Sequence, residues 1–171
     1  MQYVSTRGQA PALDFAGVLL AGLAEDGGLY IPESWPAVPP AEVAAFAGRP
    51  YADVATDIMA RYTEPSISAT DLGSIVAEAY QGFDHVAVAP LRQLTADEWV
   101  LELFHGPTLS FKDYALQVVG RLFDHVLRRV GLHMTVVGAT SGDTGSAAIE
   151  AVRDRDSITA FILHPKGRVT D

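Results

Sequence analysis

Residues 134–163 read MTVVGATSGDTGSAAIEAVRDRDSITAFIL, and this stretch decides the fold. Met134–Val137 is a short apolar run that predicts a buried strand. Ser146–Val152 has helical spacing, and Ile158–Leu163 is a second apolar run. Strand, helix and strand in such close succession form the crossover unit of a parallel sheet. Upstream, Trp99–Phe104 (WVLELF) reads as another strand. Phe111–Val130 reads as a helix, with Ala115, Val118, Val119, Leu122, Val126 and Val130 at helical spacing and Gly131 as its stop. The alternation predicts an α/β fold, a parallel sheet with crossover helices.

Residues 1–90 have a different texture. Tyr3–Thr6 and Leu29–Ile31 are strand-like, and Pro39-Pro40 opens a short helix through Phe46. Tyr51–Tyr62 and Asp71–Tyr80 carry helical spacing. Phe15–Ala24 (FAGVLLAGLA) is too short for the ~20 apolar residues of a membrane span and lacks the basic lead-in of a signal. It predicts a core helix, capped by Asp14 and stopped at Asp26-Gly27-Gly28. The expected organisation is therefore a helix-rich region over residues 1–90, then the start of an α/β domain over 91–171. Trp35 and Trp99 are expected in cores.

The 171 residues include 12 basic and 21 acidic side chains and no Cys, for a net charge of −9. That balance argues against nucleic acid or an anionic membrane as partner, and the missing Cys excludes disulfides and thiolate metal sites. A soluble cytoplasmic protein is expected. Its histidines show no zinc spacing, so no metal site is expected. His105 is expected to make a structural hydrogen bond.

Two loops carry candidate chemistry. Gly138-Ala139-Thr140-Ser141-Gly142-Asp143-Thr144-Gly145 lies between a predicted strand and helix. Its glycines free backbone N–H groups at a helix start, and Thr140, Ser141 and Thr144 add hydroxyl donors, so an anion is the expected ligand. The spacing matches no dinucleotide fingerprint, P-loop or hydrolase elbow. The second loop is His105-Gly106-Pro107-Thr108-Leu109-Ser110-Phe111-Lys112-Asp113. Only Lys112 and Lys166 are lysines among the basic residues. Ser110 as N-cap and Asp113 at N3 would form a capping box, placing Lys112 in the first turn. The helix dipole there disfavours its charge and promotes the free amine that a Schiff base needs. Two successive strand-to-helix loops of one parallel sheet would open at the same edge and set amine and anion cradle side by side. Lys166 and Arg168 read as a solvated turn.

The segments HGPTLSFKDYALQ around Lys112 and GATSGDTGSAA from Gly138 resemble threonine synthases, which are pyridoxal-phosphate enzymes of fold type II, the tryptophan-synthase-β fold. Ser5-Thr6-Arg7-Gly8, Asp26-Gly27-Gly28-Leu29-Tyr30 and His164-Pro165-Lys166-Gly167-Arg168-Val169 agree. The resemblance implies that Lys112 holds pyridoxal 5'-phosphate as an internal aldimine and later moves protons at Cα and Cβ of O-phosphohomoserine. Phosphate would leave, water would add, and threonine would result. It implies that Phe111 packs near the cofactor ring and that Asp143 faces the cofactor's 3′-oxygen. Thr140, Ser141, Gly142, Asp143, Thr144 and Gly145 would receive the substrate carboxylate. The alternatives are a threonine-synthase-like phospho-lyase and a non-catalytic anion-binding fragment. Complete members are more than twice as long, and their cofactor-phosphate loop lies later in the chain. The 171-residue chain is thus expected to be an amino-terminal portion, binding the cofactor weakly and inactive alone. Assay of the purified chain with O-phosphohomoserine should show no robust threonine formation.

Overall fold

The computed structural model describes residues 1–140 and 142–167, so Ser141, Arg168 and Val169 lie outside the described residues. The chain divides into two compact units, Met1–Val76 and Ala77–Asp171.

In the first unit, β1 (Gln2–Ser5) is the centre of an antiparallel sheet, flanked by β2 (Leu13–Asp14) and β3 (Tyr30–Pro32). Helices α1 (Phe15–Ala21), α2 (Pro40–Ala45) and α3 (Tyr51–Thr63) follow, and α4 (Ala69–Tyr80) carries the boundary between the units. Tyr3, Ala24, Ile67, Leu72, Ile75 and Val76 are buried here. Asp14 caps α1 as expected, its carboxylate accepting from Gly17 N–H at 2.8 Å. Two expectations about this helix fail. It ends at Gly22, whose φ of 68° supplies the left-handed stop, and none of its residues is fully buried. Phe15 to Leu20 are half-buried and Ala21 is exposed, as a short surface helix permits.

Asp26 has a different task from ending that helix. One carboxylate oxygen accepts from Ser5 Oγ at 2.7 Å and Gly28 N–H at 2.9 Å. The other accepts from the backbone N–H groups of Gln9 and Ala10, each at 3.0 Å. Arg7 donates to the Asp26 carbonyl, and Leu29 N–H donates to Thr6 Oγ1. Ser5-Thr6-Arg7 and Asp26-Gly27-Gly28 are thereby two halves of one polar lock at the end of the β1–β3 ladder. The Ser5 hydroxyl, followed by the Gly28, Gln9 and Ala10 amides, pulls the Asp26 carboxyl down to about 2.

In the second unit, β4 (Leu91–Gln93) and β5 (Trp99–Leu101) form an antiparallel hairpin. Then come α5 (Asp113–Val130), β6 (Met134–Ala139), α6 (Asp143–Val152) and β7 (Ile158–Leu163). β6 and β7 pair in parallel, from Met134 opposite Ile158 to Ala139 opposite Leu163. The α/β crossover is therefore present, but β5 is no part of it. Its predicted place in the parallel sheet is overturned by pairing with β4. The predicted buried strand Met134–Val137 is also corrected. Side chains alternate across β6 and β7, leaving Val137, Phe161 and Leu163 exposed on one face.

Helix α5 stops at Gly131, in the left-handed conformation, with Leu132 N–H reaching the Leu127 carbonyl at 3.0 Å. Val118, Leu122, Val126 and Leu127 are buried, whereas Ala115 and Val130 are exposed. Trp35 and Trp99 are 71% and 56% exposed, contrary to expectation. Among the described residues no helix is long and apolar enough to cross a membrane.

The Asp26 lock gives a pH-dependent prediction. Because its folded value lies below the ordinary 3.8, its contribution is complete above that value and fades as pH falls through about 2. Asp26→Asn should lower Tm by several degrees at pH 7. The gap to the parent chain should narrow as thermal melts approach pH 2.

Candidate functional site

Lys112 occupies the N-cap position of α5, one residue outside the first turn, with helical φ and ψ of −65° and −23°. The capping box predicted for this loop is absent. Ser110 is buried and its Oγ accepts from Lys112 N–H at 3.3 Å. Asp113 is fully buried and turns back into the loop instead of reaching the N-cap amide. Its carboxylate accepts from Thr108 N–H at 2.8 Å and from Thr108 Oγ1 at 2.9 Å. Gly106 completes the interlock. A Cβ added there would lie 2.5 Å from Asp113 Cβ, so only glycine admits the buried carboxylate. Between them Leu109 adopts a φ of 60°, and its N–H closes a turn on the Gly106 carbonyl. The lysine thus follows a loop whose shape is fixed from inside.

The Lys112 amine stands 4.4 Å from the centroid of the Phe111 ring, which is largely exposed. Further support comes from residues that the sequence did not single out. Tyr114 Oη donates to the Val88 carbonyl at 2.7 Å, and the Tyr114 ring meets Phe83 edge-on at 4.9 Å. Periodicity alone places Tyr114 on a helix and gives no sign of this anchor. His105 makes the structural hydrogen bonds expected of it, with its two ring nitrogens 2.9 Å from Glu102 and 2.7 Å from Asp84. The Glu102 hydrogen bond, then the Asp84 one, raises its pKa above the ordinary 6.5. This clamp is strongest when the ring is protonated and loosens as pH rises through that raised value.

The second loop is shorter than its glycine pattern suggested. Gly138 belongs to β6, paired with Ile162, so it frees no amide for a ligand. Gly145 is buried inside α6, where a Cβ would lie 2.6 Å from Thr140 Cγ2 and 3.2 Å from Ile162 Cγ2. Its role in the structure is to let the helix approach the strand. The turn proper consists of Thr140 and Gly142, with Ser141 outside the described residues. Thr140 N–H continues the ladder to the Leu163 carbonyl at 3.0 Å. Helix α6 then starts with no side-chain cap, and Asp143 and Thr144 are exposed in its first turn. An uncapped helix start beside threonine hydroxyls favours negative charge through its dipole and the amides of Asp143 and Thr144.

The two loops do share an end of the unit, though not through a common sheet with β5. Three residues separate the end of α5 from the start of β6, and five separate the end of α6 from the start of β7. Because β6 and β7 are parallel and in register, both helix C-termini lie at the strands' amino edge. Both helix starts, with Lys112 on one and Thr140–Thr144 on the other, therefore face the carboxyl edge, where ligands of parallel sheets bind.

The Gly106 interlock sets a stability prediction. Gly106→Ala should cost on the order of 1–3 kcal/mol by overpacking against Asp113. Gly82→Ala meets nothing within 4 Å and should stay within about 0.5 kcal/mol in the same urea melts.

Known proteins match this geometry. A family model described as "Threonine synthase N terminus" matches residues 2–80. Threonine synthase from Pseudomonas aeruginosa is 57% identical over the whole of this chain, which spans 36% of that protein's length. "Threonine synthase-like 2" of Xenopus laevis is 40% identical over 99% of the chain, again about a third of the relative. Among solved structures, the PLP-bound threonine synthase from Brucella melitensis superposes with a TM-score of 0.97 at 53% identity, over 99% of this chain and 37% of that one. In sequence and in fold, the chain is similar over its whole length to about a third of threonine synthases, and residues 2–80 match their amino terminus.

Proposed function

We propose that this chain provides the lysine-bearing part of a cytoplasmic, pyridoxal-phosphate-dependent threonine synthase, a lyase of threonine biosynthesis. The reaction is the conversion of O-phosphohomoserine and water to threonine and phosphate. The observation that carries the reading is the Lys112 amine at the start of α5, with the uncapped start of α6 at the same edge. The donor set suits the cofactor: a primary amine for its aldehyde, an exposed Phe111 ring for its aromatic face, and no competing thiol. Residues 1–90 would form the amino-terminal region and 91–171 the start of the cofactor domain.

When bound, the cofactor supplies an electron-poor ring conjugated to the substrate nitrogen, which acidifies the neighbouring carbon. The protein residues do the rest. Lys112 holds the cofactor and, once displaced by the substrate amine, carries protons at Cα and Cβ. The amides of Asp143 and Thr144, with the hydroxyls of Thr140, Ser141 and Thr144, take the substrate carboxylate at the helix start, whereas Gly142 N–H is turned to Thr140 Oγ1 and Gly145 N–H to the Gly142 carbonyl. Phe111 covers the ring. Asp143, exposed in the first turn of α6, would face the cofactor's 3′-oxygen. The rigid Gly106–Thr108–Asp113 loop limits the arc through which Lys112 swings, which keeps proton transfer within reach.

Three amines make the test sharp: Lys112, Lys166 and the amino terminus. Borohydride reduction of the chain with pyridoxal phosphate, followed by peptide mapping, should put the label on Lys112. Lys112→Ala should abolish that adduct while leaving the melting temperature within a degree or two. Label spread evenly over the three amines would overturn the assignment.

A further inference from the structure

The loop that carries Lys112 is held at its exit by Asp113, and a separate device holds its entry at His105. The His105 side chain is only 12% exposed. Its Nε2 lies 2.9 Å from Glu102 Oε2, three residues earlier in the chain, and its Nδ1 lies 2.7 Å from Asp84 Oδ1. Asp84 grips the same residue a second time, its backbone N–H donating to the His105 carbonyl at 2.9 Å. Glu102 is itself fixed. Its N–H donates to the Pro90 carbonyl at 3.0 Å, and its carbonyl accepts from Tyr114 Oη at 3.4 Å. The residue after His105 is Gly106, where the interlock with Asp113 begins.

Donors and acceptors around this ring balance in one protonation state only. An ionised carboxylate accepts and cannot donate, whereas a neutral imidazole has one N–H and one bare nitrogen. Between two carboxylates a neutral ring would satisfy one and set a lone pair against the other. The imidazolium donates to both, through charge-assisted bonds. The other groups facing the ring leave that balance in place. Arg92 of β4, largely exposed, lies 3.9 Å from the opposite Glu102 oxygen, Oε1. His85, with its ring centroid 5.0 Å away, accepts from Ala87 N–H through Nδ1, which takes a bare nitrogen and so an uncharged ring. The uncharged Phe104 ring lies beside His105 at 4.6 Å between centroids. The Glu102 hydrogen bond, then the Asp84 one, raises the His105 pKa against the opposing effect of burial, in keeping with this geometry.

We propose that His105 is a positioning residue for Lys112: held as an imidazolium between Glu102 and Asp84, it anchors the entry of the lysine loop. The proposal rests on the reading of Lys112 as the cofactor lysine. Deprotonation removes one of the two bonds and sets a lone pair against a carboxylate in its place. The chain entering Gly106 is then free to shift, and the amine at the end of the loop swings through a wider arc. The clamp is complete below the ordinary value of 6.5 and is lost as pH rises through the higher folded value. On the alkaline side a lysine gains free amine while this one loses its orientation, so the two effects oppose.

The experiment is ¹H–¹⁵N NMR of the 171-residue chain as pH is raised through and above 6.5. It reads the His105 ring nitrogens and the backbone N–H signals of Gly106, Leu109 and Lys112. At pH 6.5 both ring nitrogens should carry protons, and the loop signals should shift with the same midpoint as the ring. Alongside, pyridoxal phosphate and borohydride label the chain at each pH, and peptide mapping gives the ratio of adduct on Lys112 to adduct on Lys166. That ratio should fall by about threefold or more through the His105 transition, as the amine loses its orientation. Glu102→Gln should move the ring, loop and ratio transitions to lower pH together. Asp84→Asn, at an exposed carboxylate, should move them less, and it keeps the test decisive if Glu102→Gln does not fold. A neutral His105 ring at pH 6.5, or a labelling ratio that ignores the ring's titration while Lys112 is still labelled, would overturn the proposal. No label on Lys112 at any pH would overturn the reading of the lysine itself, and the positioning role with it.

Discussion

The parallel pairing of β6 with β7 is the constraint on which the second unit depends. Antiparallel neighbours can be joined by a tight turn, but parallel ones require the chain to travel back the length of the strand. Helix α6 is that return, so its start must lie at the carboxyl edge of β6 and its end at the amino edge of β7. The same register fixes α5, which leads into β6 and so begins at the far edge too. A lysine placed just before α5 and a turn placed just before α6 inherit a common end without touching one another in sequence. Gly145 then lets α6 lie close enough to the sheet to hold that turn in place.

The lysine itself is positioned by a buried charge. Taking the Asp113 carboxylate out of water is costly, and only hydrogen bonds to the same group offset the cost. Thr108 supplies them from backbone and side chain, and the absence of a Cβ at Gly106 supplies the space. The loop cannot relax without exposing or stranding that carboxylate. Stiffness next to Lys112 follows from the electrostatics of a residue that faces away from the site.

Much of this was legible in the sequence where one period dominated. β7 appears over the residues predicted for it, Asp14 caps α1, and α3 starts and ends within a residue of its helical pattern. The failures occur where a residue type has two uses. WVLELF is as good an edge hairpin as a buried strand, and only the partner strand decides. Gly138 and Gly145 resemble ligand-loop glycines because a missing side chain serves equally for a free amide or a close contact. Asp113 has the spacing of a capping box, yet Thr108 offers it two donors in place of one. Asp26 resembles a helix stop, but it gathers donors from residues 5, 9 and 10, a non-local choice that spacing does not encode.

Helix α5 shows why a single apolar stripe was too simple a reading. Val118, Leu122 and Val126 lie on one buried face. Asp113, Gln117, Gly120 and Asp124, spaced by four, three and four residues, lie on another, and they too are buried. The second stripe is polar because each member meets a polar or backbone neighbour. Asp113 meets Thr108, Asp124 meets Ser157 at 2.6 Å, and a Cβ at Gly120 would strike the Ala151 carbonyl at 2.3 Å. Gln117 alone on that stripe keeps a donor unspent. A helix with two buried faces is held along its length, so the same stripe that seats Lys112 at the start also ties α5 to α6 at Ala151 and to the turn before β7 at Ser157.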